Sequence, residues 1–164
     1  MTTYLRFTTP LGPMYAVANG AALAGLYFEG ARWAPPIAAD WIEDRRHAAL
    51  AACAAQVAEY FAGKRRAFDL DWALDGTPFQ RRVWEAIARI PFGATLSYTE
   101  LAARAGAPGA SRAAGAATGR NPLTLVIPCH RVVGAHGDLT GYAGGMARKV
   151  DLLTREGVLQ EALL

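Results

Sequence analysis

Short, largely apolar runs that read as β-strands open the chain: Tyr4-Leu5-Arg6-Phe7, Met14-Tyr15-Ala16-Val17 and Leu23-Ala24-Gly25-Leu26-Tyr27-Phe28. Turn signals at Pro10-Leu11-Gly12-Pro13 and Asn19-Gly20 separate them, and Asn-Gly favours a two-residue hairpin because both positions tolerate positive φ. The pattern predicts a small antiparallel sheet. Past a loop at Ala34-Pro35-Pro36 the period lengthens, and Leu50, Cys53, Val57 and Phe61 recur at helical spacing within the alanine-rich stretch 47–61, which Gly63 ends. That apolar face is expected to cover the sheet. No catalytic constellation stands in this first part, which reads as a scaffold.

After the short segment 71–76, three helix-start signals follow closely. Thr77-Pro78-Phe79-Gln80 combines a capping threonine, a proline suited to the first turn and a glutamine able to complete a capping box. The helix it opens carries Val83, Trp84, Ile87 and Ile90 inward and is expected to end near Pro91-Phe92-Gly93. Ser97-Tyr98-Thr99-Glu100 is a second capping box, opening a short helix that reaches Gly106. A third helix is expected from about Pro108-Gly109 through Gly119, before Asn121-Pro122. Two short helices joined by a Gly- and Pro-containing turn match the helix-turn-helix pattern.

The second helix of that pair, Ser111-Arg112-Ala113-Ala114-Gly115-Ala116-Ala117-Thr118, is poor in the long polar side chains that read base edges in a major groove. Small residues permit close backbone approach, which suits a narrow minor groove where shape and phosphates dominate. The same residues would equally suit a helix packed into a core. Arg112 favours the exposed reading, because a long cation is costly to bury without a partner.

Charge adds a little. Residues 1–76 hold 7 basic and 8 acidic side chains and residues 77–164 hold 10 and 6, so the helical part carries the positive field that a polyanion would meet. With 164 residues, 52% of them apolar, the chain can bury a core as one or two domains without metal or disulfide. Its two cysteines, Cys53 and Cys129, do not resemble a disulfide framework. The opening Met1-Thr2-Thr3-Tyr4-Leu5 lacks the layout of a signal peptide, and no stretch is long and apolar enough to span a bilayer. Reduced thiols, a cytoplasmic setting and no membrane partner are the expectation.

The chemistry centres on Pro128-Cys129-His130-Arg131-Val132. Neighbouring cations favour thiolate over thiol, and the thiolate is the nucleophile. A free cysteine is also commonly a small buried apolar residue, and the pentapeptide alone does not choose between the two.

Together with Ser97-Tyr98, Arg112-Ala113-Ala114-Gly115, Asn121-Pro122 and Gly141-Tyr142-Ala143-Gly144-Gly145, the pentapeptide resembles the O6-alkylguanine-DNA alkyltransferase family in order and spacing. The resemblance covers 77–157 closely and the N-terminal part only in its strand-strand-helix layout. It implies an α+β fold. A ribonuclease H-like part at 1–74, a small antiparallel sheet with a covering helix, precedes a mainly helical helix-turn-helix (winged-helix-like) alkyltransferase domain at 75–164.

The implied activity is stoichiometric DNA repair: O6-alkylguanine is flipped out of double-stranded DNA, and its alkyl group passes irreversibly to Cys129. No cofactor and no metal are implied, and the protein would act as a monomer. In this likeness His130 takes the thiol proton through a water, Glu156 orients His130, Asn121 is the hinge asparagine, and Tyr98 helps rotate the nucleotide and protonates the purine. Arg112 is the finger that fills the vacated stack, with Ser111, Ala113, Gly115, Thr118 and Arg120 as the other DNA-binding positions. Val132, Tyr142, Ala143 and Gly144 would line the alkylguanine pocket. Arg131 is expected to be an ion-pair partner. Ala143 and Thr118 depart from the commoner serine and bulkier apolar residue, which bears on the size of group accepted.

Three rivals stand beside this reading. A cysteine hydrolase would leave the small-residue helix unexplained. Gene control by a helix-turn-helix would need base-reading side chains the helix lacks. The third is a sensor that flips alkylated bases and recruits other repair factors; such alkyltransferase-like proteins replace the nucleophile, which this chain keeps.

Overall fold

Met14 to Ala18 are all buried because their strand is the second in a sheet whose order is β3-β2-β1-β4, flanked on both sides. In the computed structural model, which describes residues 1–160, β1 (Thr2–Phe7) pairs antiparallel with β2 (Met14–Asn19), and β2 pairs antiparallel with β3 (Ala22–Phe28) through a bulge between Val17 and Ala18. The hairpin forms, but its turn is Gly20-Ala21 rather than Asn19-Gly20: Asn19 ends β2 paired with Ala22, and of the two expected turn positions Gly20 alone takes a positive φ, +62°. A fourth strand, β4 (Ile42–Glu43), joins β1 in parallel. It was not anticipated, since two exposed residues carry no readable period.

α1 (Ala48–Phe61) lies against β1, β2 and β3, capped by His47, whose Nδ1 accepts from the Leu50 N–H at 3.4 Å. It buries Leu50, Cys53 and Val57 as the spacing predicts. The fourth position is Tyr60 rather than Phe61, which stays half-buried with its ring edge-on to Tyr60 at 5.2 Å.

The chain forms two compact units, and the first comprises Met1–Asp75 together with Pro122–Val126. The second segment returns to the free edge of β3: the Leu26 N–H donates to the Pro122 carbonyl at 2.8 Å, and the Thr124 N–H donates to that of Leu26 at 3.0 Å. Trp72 bridges the same strand at Leu23. An edge that would otherwise present unpaired amides is thereby covered. The first stretch of this unit ends at Asp75, one residue past the expected 1–74 part, and Pro122–Val126 is added to it through main-chain hydrogen bonds, which leave no side-chain signature.

The second unit comprises Gly76–Asn121 and the chain from Ile127. Both capping boxes form. In α2 (Pro78–Ala88) the Gln80 N–H donates to Thr77 Oγ1 at 3.1 Å and the Thr77 N–H to Gln80 Oε1 at 3.0 Å; in α3 (Tyr98–Arg104) Ser97 and Glu100 do the same at 3.1 and 3.2 Å. Thr77→Ala is expected to cost about 1 kcal/mol. Urea unfolding should show a lower midpoint at unchanged slope. α2 ends at Ala88, ahead of Pro91, and Ile90 is buried beyond the helix rather than in it.

α4 (Ser111–Gly119) packs on α2 and α3, and the Trp84 indole N–H donates to the Ala117 carbonyl at 2.9 Å. The small-residue helix therefore uses both of its readings. Ala114, Ala117 and Thr118 face the core while Arg112, Ala113 and Ala116 are exposed.

Two elements of this unit have no counterpart in the sequence reading. β5 (Leu96–Ser97) pairs in parallel with β6 (Val132–Val133), joining the entrance of α3 to the residues that follow Cys129. α5 (Met146–Arg155) buries Lys149, Leu152 and Leu153, and Glu156 is buried at its C-terminal cap. Its inward stripe thus reads Lys-Leu-Leu-Glu, charged at both ends, and a search for apolar periodicity passes over it.

Candidate active site

Cys129, His130 and Arg131 form a single 3₁₀ turn. Successive side chains on such a turn diverge by about 120°, so the cysteine and histidine point apart. All three are buried, and each meets a different set of partners.

His130 is 0% exposed, and its Nε2 lies 2.8 Å from Glu156 Oε2. Burial holds the imidazole below its usual pKa, with attraction to Glu156 opposing, so the ring is neutral. A carboxylate only accepts, hence Nε2 carries the proton and Nδ1 is the bare nitrogen. That Nδ1 is buried and has no hydrogen-bond partner among the described residues. A neutral imidazole with a free lone pair and a carboxylate behind it is arranged to take up a proton.

Arg131 grips the same carboxylate, Nε to Oε1 at 2.7 Å and Nη2 to Oε2 at 3.0 Å, while Nη1 donates to the Ile90 carbonyl at 2.7 Å. Its expected role as an ion-pair partner is what the geometry gives. This also corrects the expectation that neighbouring cations hold Cys129 as thiolate. The Arg131 charge is matched by Glu156, and burial pushes the Cys129 thiol up. Hydrogen bonds from Asn121 and Tyr142 and the charge of Lys149 act in the opposite sense without overcoming it. The resting sulfur is a thiol, and its nucleophilic form has to be made by removing a proton.

The other expected residues can be followed in turn. Asn121 is buried; its Nδ2 donates to the Ile127 carbonyl at 2.7 Å, clasping the two ends of the chain where it leaves and re-enters this unit. Tyr98 is half-buried at the start of α3 with its ring against Gly115, where an added Cβ would sit 3.6 Å from Cδ1. Arg112, Ala113 and Arg120 are exposed, and Ser111 and Gly115 partly so. Thr118 differs from expectation. It is buried, and its hydroxyl donates to the Ala114 carbonyl at 2.7 Å, which turns it away from any ligand on the outer face of α4. Tyr142, Ala143 and Gly144 are half-buried in the turn before α5, and the Val132 carbonyl accepts from Lys149 Nζ at 2.7 Å.

Two family models match the chain. That of the 6-O-methylguanine DNA methyltransferase, DNA binding domain, covers residues 78–158, and that of the 6-O-methylguanine DNA methyltransferase, ribonuclease-like domain, covers residues 2–74. The chain belongs to the 6-O-methylguanine DNA methyltransferase family. Relatives named methylated-DNA–protein-cysteine methyltransferase include one from Mycobacterium leprae, 43% identical over 90% of this chain and 88% of its own, and one from Methanosarcina barkeri, 45% identical over 90% and 92%. The solved structure of Mycobacterium tuberculosis OGT in complex with DNA superposes with a TM-score of 0.87 at 42% identity, covering 94% of this chain and 93% of that one. The α+β architecture, a ribonuclease-like part followed by a DNA-binding part, is thus that of the methyltransferase family.

One residue at the methyltransferase site escaped the sequence reading. Lys149 is fully buried beside the Cys129 turn, and the available signal was a lysine standing where the helical stripe of α5 calls for leucine.

Proposed function

We infer that this chain is a DNA repair protein, a methylated-DNA–protein-cysteine methyltransferase that moves an alkyl group from O6-alkylguanine in double-stranded DNA onto its own Cys129. The observation that carries the assignment to Cys129 is the neutral, buried His130 with its bare Nδ1, in the same 3₁₀ turn as a thiol that burial keeps protonated.

The steps follow from the groups present. An alkylated base in the stack is out of reach of a buried sulfur, so it is flipped out, at a cost of a few kcal/mol. The exposed face of α4, small residues with Arg112 projecting, supports a close approach in the minor groove with the guanidinium filling the vacated stack. Ser111, Ala113, Gly115 and Arg120 flank that contact. The thiol proton passes through a water to His130 Nδ1, and the imidazolium formed is stabilised by Glu156. The sulfur attacks the alkyl carbon, the C–S bond forms as the C–O6 bond breaks, and the electron pair leaves on guanine. Tyr98 protonates the purine, removing the charge that would make guanine a poor leaving group.

The product is a thioether, which water does not reverse, so each molecule acts once and no cofactor is required. Val132, Tyr142, Ala143 and Gly144 are proposed to line the guanine pocket. The protein is proposed to work as a monomer in the cytoplasm. The lesion sensor is disfavoured because Cys129 is retained with its proton acceptor.

Incubation with duplex DNA containing O6-methylguanine should add one methylene unit of mass per protein molecule, mapped to Cys129. Unchanged mass, or repeated turnover, refutes the transfer reading. Arg112→Ala should slow transfer from duplex by roughly one to two orders of magnitude, the equivalent of about 1–3 kcal/mol for a stacked group. Transfer from a free O6-alkylated guanine base should be nearly unaffected. Equal losses on both substrates would remove the stack-filling role.

A further inference from the structure

Lys149 is 0% exposed, yet its Nζ is not stranded: it donates to the carbonyls of Val132 at 2.7 Å, Thr140 at 2.8 Å and Gly141 at 3.5 Å. An ammonium has three donors and no acceptor, whereas a neutral amine would turn a lone pair toward one of these oxygens. Three carbonyls therefore favour the charged form, against the burial that lowers its pKa. The Val132 N–H in turn donates to the Cys129 carbonyl, so two hydrogen bonds through one residue connect the ammonium to the backbone of the nucleophile.

The groups around the sulfur can be taken element by element. His130 and Arg131 share its 3₁₀ turn, Asn121 follows α4, Tyr142 comes from the turn before α5, and Lys149 and Glu156 come from α5 and its cap. Arg131 and Glu156 neutralise one another, His130 is uncharged, and Asn121 and Tyr142 contribute neutral donors. Lys149 donates to three carbonyls and, among the described residues, pairs with no carboxylate. The cluster thus holds one unmatched positive charge while Cys129 is a thiol, and none once the thiol proton has left to solvent.

We propose that Lys149 is a positioning residue for the transfer: the buried counter-charge for the Cys129 thiolate, tethered by the carbonyls of Val132, Thr140 and Gly141. This rests on Cys129 being the acceptor. A buried thiolate without an opposite charge is expensive, and removing the proton through His130 alone would leave that expense in the transition state. With Lys149 in place the thiolate faces a cation of its own, whether its proton rests on His130 or has left to solvent.

The test is the pH dependence of Cys129 alkylation by iodoacetamide, followed by peptide mass so that Cys53 is scored separately. Wild type is compared with Lys149→Met, and with Lys149→Gln, which keeps donors but loses the charge. Both variants should raise the midpoint by one pH unit or more, meaning about tenfold less thiolate at neutral pH, and should approach the wild-type rate at high pH. A uniform loss of rate at every pH with the midpoint unmoved, or a Lys149→Gln variant that titrates like wild type, overturns the proposal.

Should neither variant fold, the wild-type Lys149 ¹³Cε resonance should shift as Cys129 titrates and show no such transition in Cys129→Ser. A resonance indifferent to Cys129 overturns the proposal equally. Because iodoacetamide needs no DNA, the two readings fail separately. A protein that gains no mass from methylated DNA, yet has a thiol midpoint set by the Lys149 charge, refutes the transfer and leaves the electrostatic role intact.

Discussion

Cys129→Ser should leave a folded protein that still binds methylated duplex and never gains mass from it. The hydroxyl is close in size to the thiol, and at 6% exposure it inherits the same donors, Asn121 and Tyr142. Stability should therefore change by no more than about 1–2 kcal/mol. Chemistry should stop altogether. A serine alcohol is far too weak an acid for a neutral imidazole to deprotonate in the ground state, and oxygen lacks the intrinsic nucleophilicity of sulfur toward an alkyl carbon. Intact-protein mass after incubation with O6-methylguanine DNA, together with a binding isotherm on the same duplex, reads both halves. Any transfer by the serine variant would show that another atom is the acceptor.

Loss of the Glu156 carboxylate should be the most destabilising single change at this site. Glu156→Ala leaves the Arg131 guanidinium buried with only the Ile90 carbonyl for Nη1, and removing one partner of such a pair costs about 3–5 kcal/mol. For a chain of this size that is a fall in melting temperature of about 10 °C. The same change releases His130 Nε2, so the tautomer that bares Nδ1 is no longer enforced, and transfer should slow well beyond what the loss of stability explains. Glu156→Gln should be intermediate, since one amide oxygen can still accept but cannot serve His130 and Arg131 together.

The wild-type protein should itself lose stability in acid at this cluster. Burial holds the folded-state His130 below its ordinary value of 6.5, so the unfolded chain binds the proton first. Stability is then fully present above that value and declines as the pH falls through and below it. Chemical denaturation at a series of pH values reads the effect, and His130→Asn should flatten it.

The fold was legible where local rules and burial agree. Asn19-Gly20 specified a hairpin, Thr77-Pro78-Phe79-Gln80 and Ser97-Tyr98-Thr99-Glu100 specified two helix starts, and Leu50, Cys53 and Val57 specified a covering face, because each signal acts within a few residues of itself. What escaped depends on partners distant in sequence. β5 and β6 are two residues each and exist only because they meet. Pro122–Val126 joins the other unit through main-chain bonds to Leu26. Thr118 turns inward instead of forming the surface contact expected of it, because its direction is fixed by how α4 lies on α2 and α3.

By itself the sequence determined the family, the order of the helices and which sulfur to examine, since motif spacing and capping are encoded in neighbouring residues. Only the tertiary structure decided the protonation chemistry. Whether Cys129 rests as thiol or thiolate depends on burial and on which cation is free to act. Arg131, two residues along the chain, is neutralised by Glu156, while Lys149, remote in the chain, is the cation that acts on the sulfur. Electrostatic influence follows distance and desolvation through space, and neither is written in the spacing of residues along the chain.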